Sequence, residues 1–462
     1  MLRHSNYIVV LFLSLVALAS CKVTKTYKTP DVATAVSYRD SNTTDTNSIA
    51  SLHWREIFRD TILQGLIEEG IAHNLDLQIA YTRVQQAEAY YAQSRAAFFP
   101  TVNANAQATE SKLSEVQGFG IRTQATQFQL GLSSTWEANL WGKLSSARRS
   151  SLAALLQTEA YTRAVQTALV ANIANYYYSL LAMDQQLTVT RQTVSYWDTT
   201  VVTMQALKEA AVVTGAAVAQ SEASRYAAQV TLPDLKQRIR EAENALSVLL
   251  GREPGAISRS DIRTQSIYEP LDTGVPAQLL GNRPDVQQAE FNFRQYFEQT
   301  NVARTYFYPN LTITGNAGLS SLALNTFFNP GSIFANIAGG LVQPIFNQRQ
   351  NKTRLEVAKA QQQEALLNFQ AALLTAGQEV SDALSLYQTA GDKMAVRNHQ
   401  LSALQRSVEY SMALLHYGSA NYTEVINARQ NLLMAELNQV NDRLQQLQAV
   451  VSLYRALGGG WK

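Results

Sequence analysis

The fold is indicated most clearly by the stretch Arg283-Pro284-Asp285-Val286-Gln287-Gln288-Ala289-Glu290, which continues to Val302-Ala303-Arg304-Thr305-Tyr306-Phe307-Tyr308-Pro309. Its pattern predicts a helix that begins just after Pro284 and ends before Pro309, because proline fits a first helical turn but cannot continue a helix. Beyond Pro309 the apolar residues change from helical spacing to alternation, which is typical of a strand. The stretch therefore marks a helix that leads directly into a strand.

The same junction occurs once earlier in the chain. Asp76 lies in a helical pattern that is expected to begin near Ile57 and to continue to about Ala97, where Pro100 closes it, and an alternating segment follows. Asp285 and Pro309 lie 209 residues after Asp76 and Pro100, respectively. Two anchors at one offset predict an internal two-fold repeat. We place the first repeat at residues 57–251, a linker or equatorial region at 252–280, and the second repeat at 281–462.

The amino terminus has the pattern of a secretory signal. Arg3 precedes an apolar run over residues 7–19, which is too short to span a bilayer as a helix. The run ends in Leu18-Ala19-Ser20-Cys21, which resembles the bacterial lipobox, and Cys21 is the only cysteine. We predict a signal peptide at residues 1–20, a lipid on Cys21, and a polar tether at residues 21–56. The alternative is an incidental free cysteine.

Each repeat contains a pair of predicted strands, at residues 101–141 and 310–346. In the first pair one side carries Phe128, Leu130, Leu132, Ser134, Trp136, Ala138 and Leu140. Alternation with aromatic residues near the ends is typical of a strand that faces lipid on one side and water on the other.

Each strand pair is followed by a predicted long helix and a return helix. The first long helix ends near Gly215 and has an apolar seam at heptad spacing, with Thr190 as its polar exception. The second long helix has a similar seam, interrupted by Arg397, and turns at Gly418. Such seams indicate helices that pack along neighbouring helices.

The chain has no apolar run of eighteen residues, which excludes a membrane-spanning helix in the mature protein. A bilayer crossing would then require a closed β-barrel, and four strands are too few for one chain because such barrels begin at about eight. We therefore expect several copies to share a barrel. The alternative is that the strands are ordinary soluble hairpins and the helices a solid coiled coil.

Several motifs carry a family resemblance: Leu279-Leu280-Gly281-Asn282-Arg283-Pro284-Asp285, Pro344-Ile345-Phe346, Gln378-Glu379-Val380-Ser381-Asp382-Ala383-Leu384 and Leu457-Gly458-Gly459-Gly460-Trp461. In these the chain resembles the TolC family of outer-membrane efflux channels, in its lipoprotein (OprM/NodT-like) branch. The resemblance implies an α+β membrane protein that forms a homotrimer with a twelve-stranded transmembrane β-barrel, four strands from each chain. A long α-helical coiled-coil tube would continue the barrel into the periplasm.

The resemblance also implies a gate at the periplasmic tip of the helices. Family members carry carboxylates six and nine residues after a turn glycine. Gly418 places Glu424 and Asn427 at these positions, so one carboxylate is kept and the other is replaced by an amide. In the first half Gly215 places Ser221 and Ser224 there, without an acid. We predict a constriction formed by three copies of Glu424. The alternative is that Glu424 is a solvated surface charge.

Composition and motifs bound the function. The net charge of +2 gives no strong field for nucleic acid, and the five histidines are scattered without metal-ligand spacing. We therefore predict no catalytic residues, no metal and no cofactor beyond the lipid.

The resemblance implies an outer-membrane channel of a tripartite efflux system, which passes small molecules outward with a periplasmic adaptor and an inner-membrane pump, commonly of the resistance-nodulation-division type. Residues 213–225 and 417–429 are the expected adaptor contacts.

Two alternatives stay open: a structural coiled-coil lipoprotein of the envelope, which needs no water-filled lumen, and an outer-membrane conduit for protein export. Either would share the predicted location, which is the bacterial outer membrane with the helices extending into the periplasm. The exported substrate is not encoded in any motif of the chain.

Overall fold

The computed structural model describes residues 23–31, 39, 47–112, 124–268, 271–274, 276–417 and 422–461. The predicted signal peptide, Cys21 and Gly418 lie outside these ranges. The chain divides into two compact units. The first unit draws on Met1–Asp31, Val84–Thr158 and Ala289–Phe369, and the second on Val32–Arg83, Glu159–Gln288 and Gln370–Lys462.

The α-helices are α1 Trp54–Ile57, α2 Thr61–His73, α3 Leu75–Ala96, α4 Lys143–Glu209, α5 Gly215–Gln229, α6 Thr231–Leu249, α7 Leu279–Asn282, α8 Pro284–Thr305, α9 Gln350–His416 and α10 Tyr422–Ala456. The strands are β1 Thr101–Lys112, β2 Gln124–Glu137, β3 Asn310–Ser321 and β4 Ile333–Val342. Short 3₁₀ helices cover Ile49–Ser51, Ile262–Thr264, Pro276–Gln278, Leu324–Thr326 and Pro330–Ser332. Within the described ranges no helix is both long and apolar enough to cross a membrane.

The four strands of the first unit form one antiparallel sheet in the order β1-β2-β3-β4. The pairing therefore joins the strand pairs of both repeats through β2 and β3. Strand β4 ends at Val342, earlier than the predicted boundary at residue 346, because Pro344 has no N–H to donate to a neighbouring strand.

Strands β2 and β3 approach unusually closely at two glycines. Gly131 pairs with Gly318 in the register. A Cβ atom added at Gly318 would overlap the carbonyl oxygen of Leu130 and lie 2.5 Å from the Cα of Gly131. Only glycine fits at Gly318, so this pair fixes how the two halves of the sheet meet.

Two predicted helices are interrupted. The helix expected from residue 57 to about 97 is divided at Asn74, whose side-chain oxygen accepts a bond from the Leu77 N–H at 2.9 Å and thereby begins α3. The return helix of the first half is divided at Val230 into α5 and α6. Pro233 explains this division, because it cannot donate the helical hydrogen bond to residue 229.

The heptad seam of α4 is buried in the second unit over most of its length. Its buried members are Leu169, Ile173, Leu180, Leu187, Thr190, Trp197, Val201 and Met204. Tyr176 departs from this pattern, since 39% of its surface is exposed. The interruption in the α9 seam is also explained: Arg397 donates through Nε to the buried Asp442 on α10 at 2.8 Å.

Arg283, the first residue of the stretch that ends at Pro309, is buried, with 5% of its surface exposed. Its Nη1 donates to the carbonyl oxygen of Ala456 at 2.9 Å and lies 2.8 Å from a carboxylate oxygen of Glu379. Its Nε donates to Asp285 at 3.0 Å. Arg283 thus connects the start of α8 to the end of α10 and to α9, while Pro284 begins α8.

Part of the predicted tether is bound in the first unit. The Asn301 side chain accepts a bond from the Lys25 N–H at 3.0 Å and donates one to the Lys25 carbonyl oxygen at 2.9 Å. The Tyr27 ring packs edge-on against Phe297, with the ring centroids 5.5 Å apart.

Residues 47–56, at the other end of the predicted tether, belong to the second unit, where Ile49 and Trp54 are buried because they are apolar.

Candidate functional site

Glu424 and Asn427 lie on α10, one turn apart and both exposed. Glu424 is in the first turn of the helix, where the partial positive charge of the helix terminus stabilises a carboxylate. The two side chains therefore share one exposed face of α10. The placement suits a carboxylate that reaches into water, and it is equally the placement of a solvated charge.

The corresponding residues of the first half have a different environment. Gly215 is the first residue of α5, and the left-handed conformation of the preceding turn is adopted by Ala211, at φ 56°. Ser221 and Ser224 on α5 are buried. The hydroxyl of Ser221 donates to the Ala217 carbonyl oxygen at 2.9 Å. Ser224 accepts a hydrogen bond from the Gln430 side-chain nitrogen at 3.3 Å, so both serines are part of the packed interior. A carboxylate at either position would have to be removed from water.

A small apolar cluster supports the start of α10. It joins Trp197 of α4, Ala228 of α5 and Ile426 of α10, and Val194 and Tyr422 pack against it. Ile426 is 2% exposed and stands between the two exposed residues Glu424 and Asn427. The cluster fixes the rotation of α10 and thereby the direction in which Glu424 and Asn427 are exposed.

A cation–π contact lies next to this cluster and was not predicted from the sequence. The Arg429 guanidinium lies 4.7 Å from the centroid of the Tyr196 ring. Both residues line a cavity of about 70 Å³ that also contacts Glu436. Burial raises the pKa of Glu436, and the positive charge of Arg429 opposes this without cancelling it. No motif marks the pair, because its members are distant in sequence and meet only when α4 packs against α10.

The register gives the sheet of the first unit one face that is mainly apolar on all four strands and an opposite face that is mainly polar on β1, β2 and β3. One face carries Val102, Ala104, Ala106, Leu130, Leu132, Trp136, Leu311, Ile313, Ala317, Leu319, Ile333, Ala335, Ile337 and Leu341. The other carries Asn103, Asn105, Gln107, Gln129, Ser133, Thr135, Thr312, Thr314, Asn316, Ser320 and Asn336. Phe334, Ala338 and Val342 of β4 lie on this second face as well, so its polar residue on β4 is Asn336. The apolar side chains of the first face are in register from strand to strand, as a boundary between an apolar and an aqueous medium requires.

The described ranges contain no group of three or more His, Cys, Asp or Glu side chains that could hold a metal ion. His399 and His416 both lie on α9, seventeen positions apart. Lipidation of Cys21 and the turn at Gly418 fall on residues outside the described ranges and stay predictions.

Comparisons with known proteins identify the family. The model of the outer membrane efflux protein family matches residues 66–252 and 275–459. The cation efflux system protein CusC of Escherichia coli O6:H1 is 28% identical over 456 residues, which cover 96% of this chain and 97% of that protein. The solvent efflux pump outer membrane protein SrpC of Pseudomonas putida is 28% identical over 409 residues, 88% of this chain and 87% of that protein.

The fold has close counterparts among solved structures. The structure of the outer-membrane channel OprN is 25% identical, with a TM-score of 0.89, and the match covers 96% of this chain and 100% of that one. The predicted fold class is confirmed: this is the trimeric channel fold with a barrel and a helical tunnel, and each chain contributes four strands and long helices. The predicted role in outer-membrane efflux is confirmed with it. The chain belongs to the outer membrane efflux protein family.

Proposed function

We propose that this efflux channel works with a periplasmic adaptor and an inner-membrane pump of the resistance-nodulation-division type. The observation that carries the proposal is the family match in both halves of the chain, together with relatives named as components of efflux systems and efflux pumps. In this arrangement the pump selects and drives the solute, and the channel provides a water-filled exit. The relatives are named for cations and for solvents, so a small solute rather than a folded protein is the proposed cargo.

The adaptor is proposed to contact the helix ends around residues 213–225 and 417–429. The described part of the second range offers the exposed side chains Tyr417 and Glu424, and the exposed Tyr226 comes directly after the first range. Aromatic side chains are enriched in protein interfaces, and the rim of an interface is polar. A photo-crosslinking residue at Tyr226 or Tyr417 should form adducts with the adaptor in cells. A crosslinking residue at Leu386, which is exposed on the middle of α9, is the matched control.

The efflux role is tested by deleting the gene and measuring retention of a fluorescent efflux substrate in cells. Retention should rise, and the plasmid-borne chain should reverse it. Unchanged retention would contradict the role of this chain in efflux. Two further measurements distinguish the alternative functions. A structural lipoprotein would give no conductance in planar bilayers. Deletion of the gene for a protein-export conduit would change the set of secreted proteins and leave dye retention unchanged.

Lipid anchoring through Cys21 is proposed from the signal sequence before it. The wild-type chain should incorporate labelled palmitate, and a Cys21→Ser variant should not. Because the anchor adds membrane affinity without forming part of the conduit, the variant directed to the periplasm by a cleavable signal peptide should keep single-channel conductance. Palmitate incorporation into the Cys21→Ser variant would contradict the assignment.

A further inference from the structure

The register of the sheet brings three asparagines and a serine to one level. Asn103 of β1 pairs with Ser133 of β2, Ser133 pairs with Asn316 of β3, and Asn316 pairs with Asn336 of β4. We call these four residues the amide band. They are distant in sequence, since Asn103 and Asn336 come from different repeats, and only the pairing of β2 with β3 places them side by side.

The amide band lies on the polar face. Each member is flanked in its strand by residues of the apolar face, for example Ala317 after Asn316 and Ala335 before Asn336. Within the band the side-chain nitrogen of Asn316 donates to the side-chain oxygen of Asn336 at 3.0 Å. The edge members Asn103 and Asn336 are exposed. Each carboxamide has two donors and an acceptor with two lone pairs, so the band keeps free capacity for hydrogen bonds.

The levels next to the band are also uncharged. One neighbouring level contains Thr101, Thr135, Thr314 and Ala338, and the other contains Asn105, Gly131, Gly318 and Phe334. The ionisable residues of the four strands are Glu110, Lys112 and Glu137, all at strand ends. Glu137 is paired with Lys143 at 3.0 Å. The polar face at the band therefore presents hydrogen-bonding groups without a formal charge.

We propose that the amide band lines the conduit and makes this part of it a neutral passage that contacts solutes by hydrogen bonding and does not select by charge. The inference rests on the proposed function, because it requires that the polar face of the sheet borders the water-filled path. A ring of charged side chains would favour one sign of ion, whereas carboxamides can solvate cations, anions and neutral polar solutes alike. Any charge selection by the channel would then arise elsewhere along the path.

Thiol modification tests the orientation of the band. Asn316→Cys and Ala317→Cys variants are adjacent in β3 and face opposite sides of the sheet. A membrane-impermeant anionic methanethiosulfonate should lower the single-channel conductance of Asn316→Cys and shift its reversal potential towards cation preference. It should leave Ala317→Cys unchanged. The wild-type chain, with Cys21 as its only cysteine, is the reagent control. If either β3 variant fails to fold, Asn336→Cys with Ala335→Cys gives the same comparison on β4.

Charge substitution tests the neutrality. In a potassium chloride gradient, an Asn316→Asp/Asn336→Asp variant should have a reversal potential shifted to the cation-selective side of the wild-type value, because it places negative charge where the wild type has none. Modification of Ala317→Cys as readily as Asn316→Cys, or no shift in the aspartate variant, would overturn the amide band in a channel that otherwise conducts. A wild-type chain that inserts but never conducts would instead overturn the proposed function itself.

Discussion

At the scale of single residues, the second unit contains a carboxylate that holds three separate segments together. Asp60 precedes α2, and one of its oxygens accepts hydrogen bonds from the Tyr177 hydroxyl at 2.7 Å, from the Ser260 hydroxyl and from the Gln265 amide at 2.8 Å. Its other oxygen accepts from the Ile62 N–H at 2.9 Å. Tyr177 is fully buried, so its hydroxyl has no access to solvent as an alternative partner.

We expect Asp60→Ala to lower the free energy of unfolding by about 3 kcal/mol, because it removes the charged acceptor that three side chains share and the cap of α2. Urea unfolding of the purified channel, followed by circular dichroism, measures the change. Asp392→Ala, at an exposed position of α9, is the control and should have an effect below about 0.5 kcal/mol. Equal effects of the two substitutions would contradict the role assigned to Asp60.

The same carboxylate predicts a pH dependence. Burial raises the pKa of Asp60, but the hydrogen bonds from Ser260, Tyr177 and Gln265 outweigh burial and hold the pKa below its ordinary value of 3.8. A lowered pKa means that the ionised carboxylate stabilises the fold above this value, and that the contribution is lost as the pH falls through the pKa of the folded state. The stability difference between the wild type and Asp60→Asn should therefore shrink below about pH 3.8, when followed by urea unfolding at several pH values. A stability difference between the wild type and Asp60→Asn that grows as the pH falls would contradict the lowered pKa of Asp60.

At the scale of elements, the junction of β2 and β3 is the point where the two repeats form one sheet. Gly318→Ala should lower stability by roughly 2–3 kcal/mol or prevent assembly, because the added Cβ meets backbone atoms that cannot move aside. Gly339→Ala on β4 is the matched control, since nothing lies within 4 Å of a Cβ there. The yield of trimer that resists heating in detergent measures both variants. A normal yield for Gly318→Ala would show that β2 and β3 can separate without cost.

The bound segment at residues 23–31 gives a second prediction at this scale. Asn301 is fully buried and holds both backbone groups of Lys25, and its side chain also donates to Glu298 at 3.1 Å. Asn301→Ala should release the segment and raise the rate of tryptic cleavage after Lys25 on the order of tenfold, since two hydrogen bonds are lost. Gln299→Ala, on the same helix, should leave the rate unchanged. Equal cleavage in the wild type and in Asn301→Ala would exclude this docking.

At the scale of the whole molecule, three copies of Glu424 are predicted to form the constriction. Glu424→Gln keeps the size of the side chain and removes its charge. If the carboxylates converge, the substitution should weaken block of the channel by divalent cations, because clustered negative charge attracts them. Single-channel recording with increasing concentrations of a divalent cation measures the block. Glu409→Gln, an exposed carboxylate of α9, should leave it unchanged. If divalent cations block the wild type and Glu424→Gln equally, the predicted constriction is contradicted and Glu424 is a solvated surface charge.

The periodic features could be predicted from the amino-acid sequence: four alternating strands, two long helices with heptad seams, and the duplication that relates Asp76 to Asp285. These follow from the spacing of apolar residues and from prolines, which act on the backbone locally. The tertiary structure was needed to find the pairing of β2 with β3, the amide band, the Asp60 network and the contact of Arg429 with Tyr196. It was also needed to show that Ser221 is buried whereas Glu424, at the matching position of the second repeat, is exposed. Each of these depends on which faces of distant elements meet, and local periodicity carries no information about partners more than a hundred residues away.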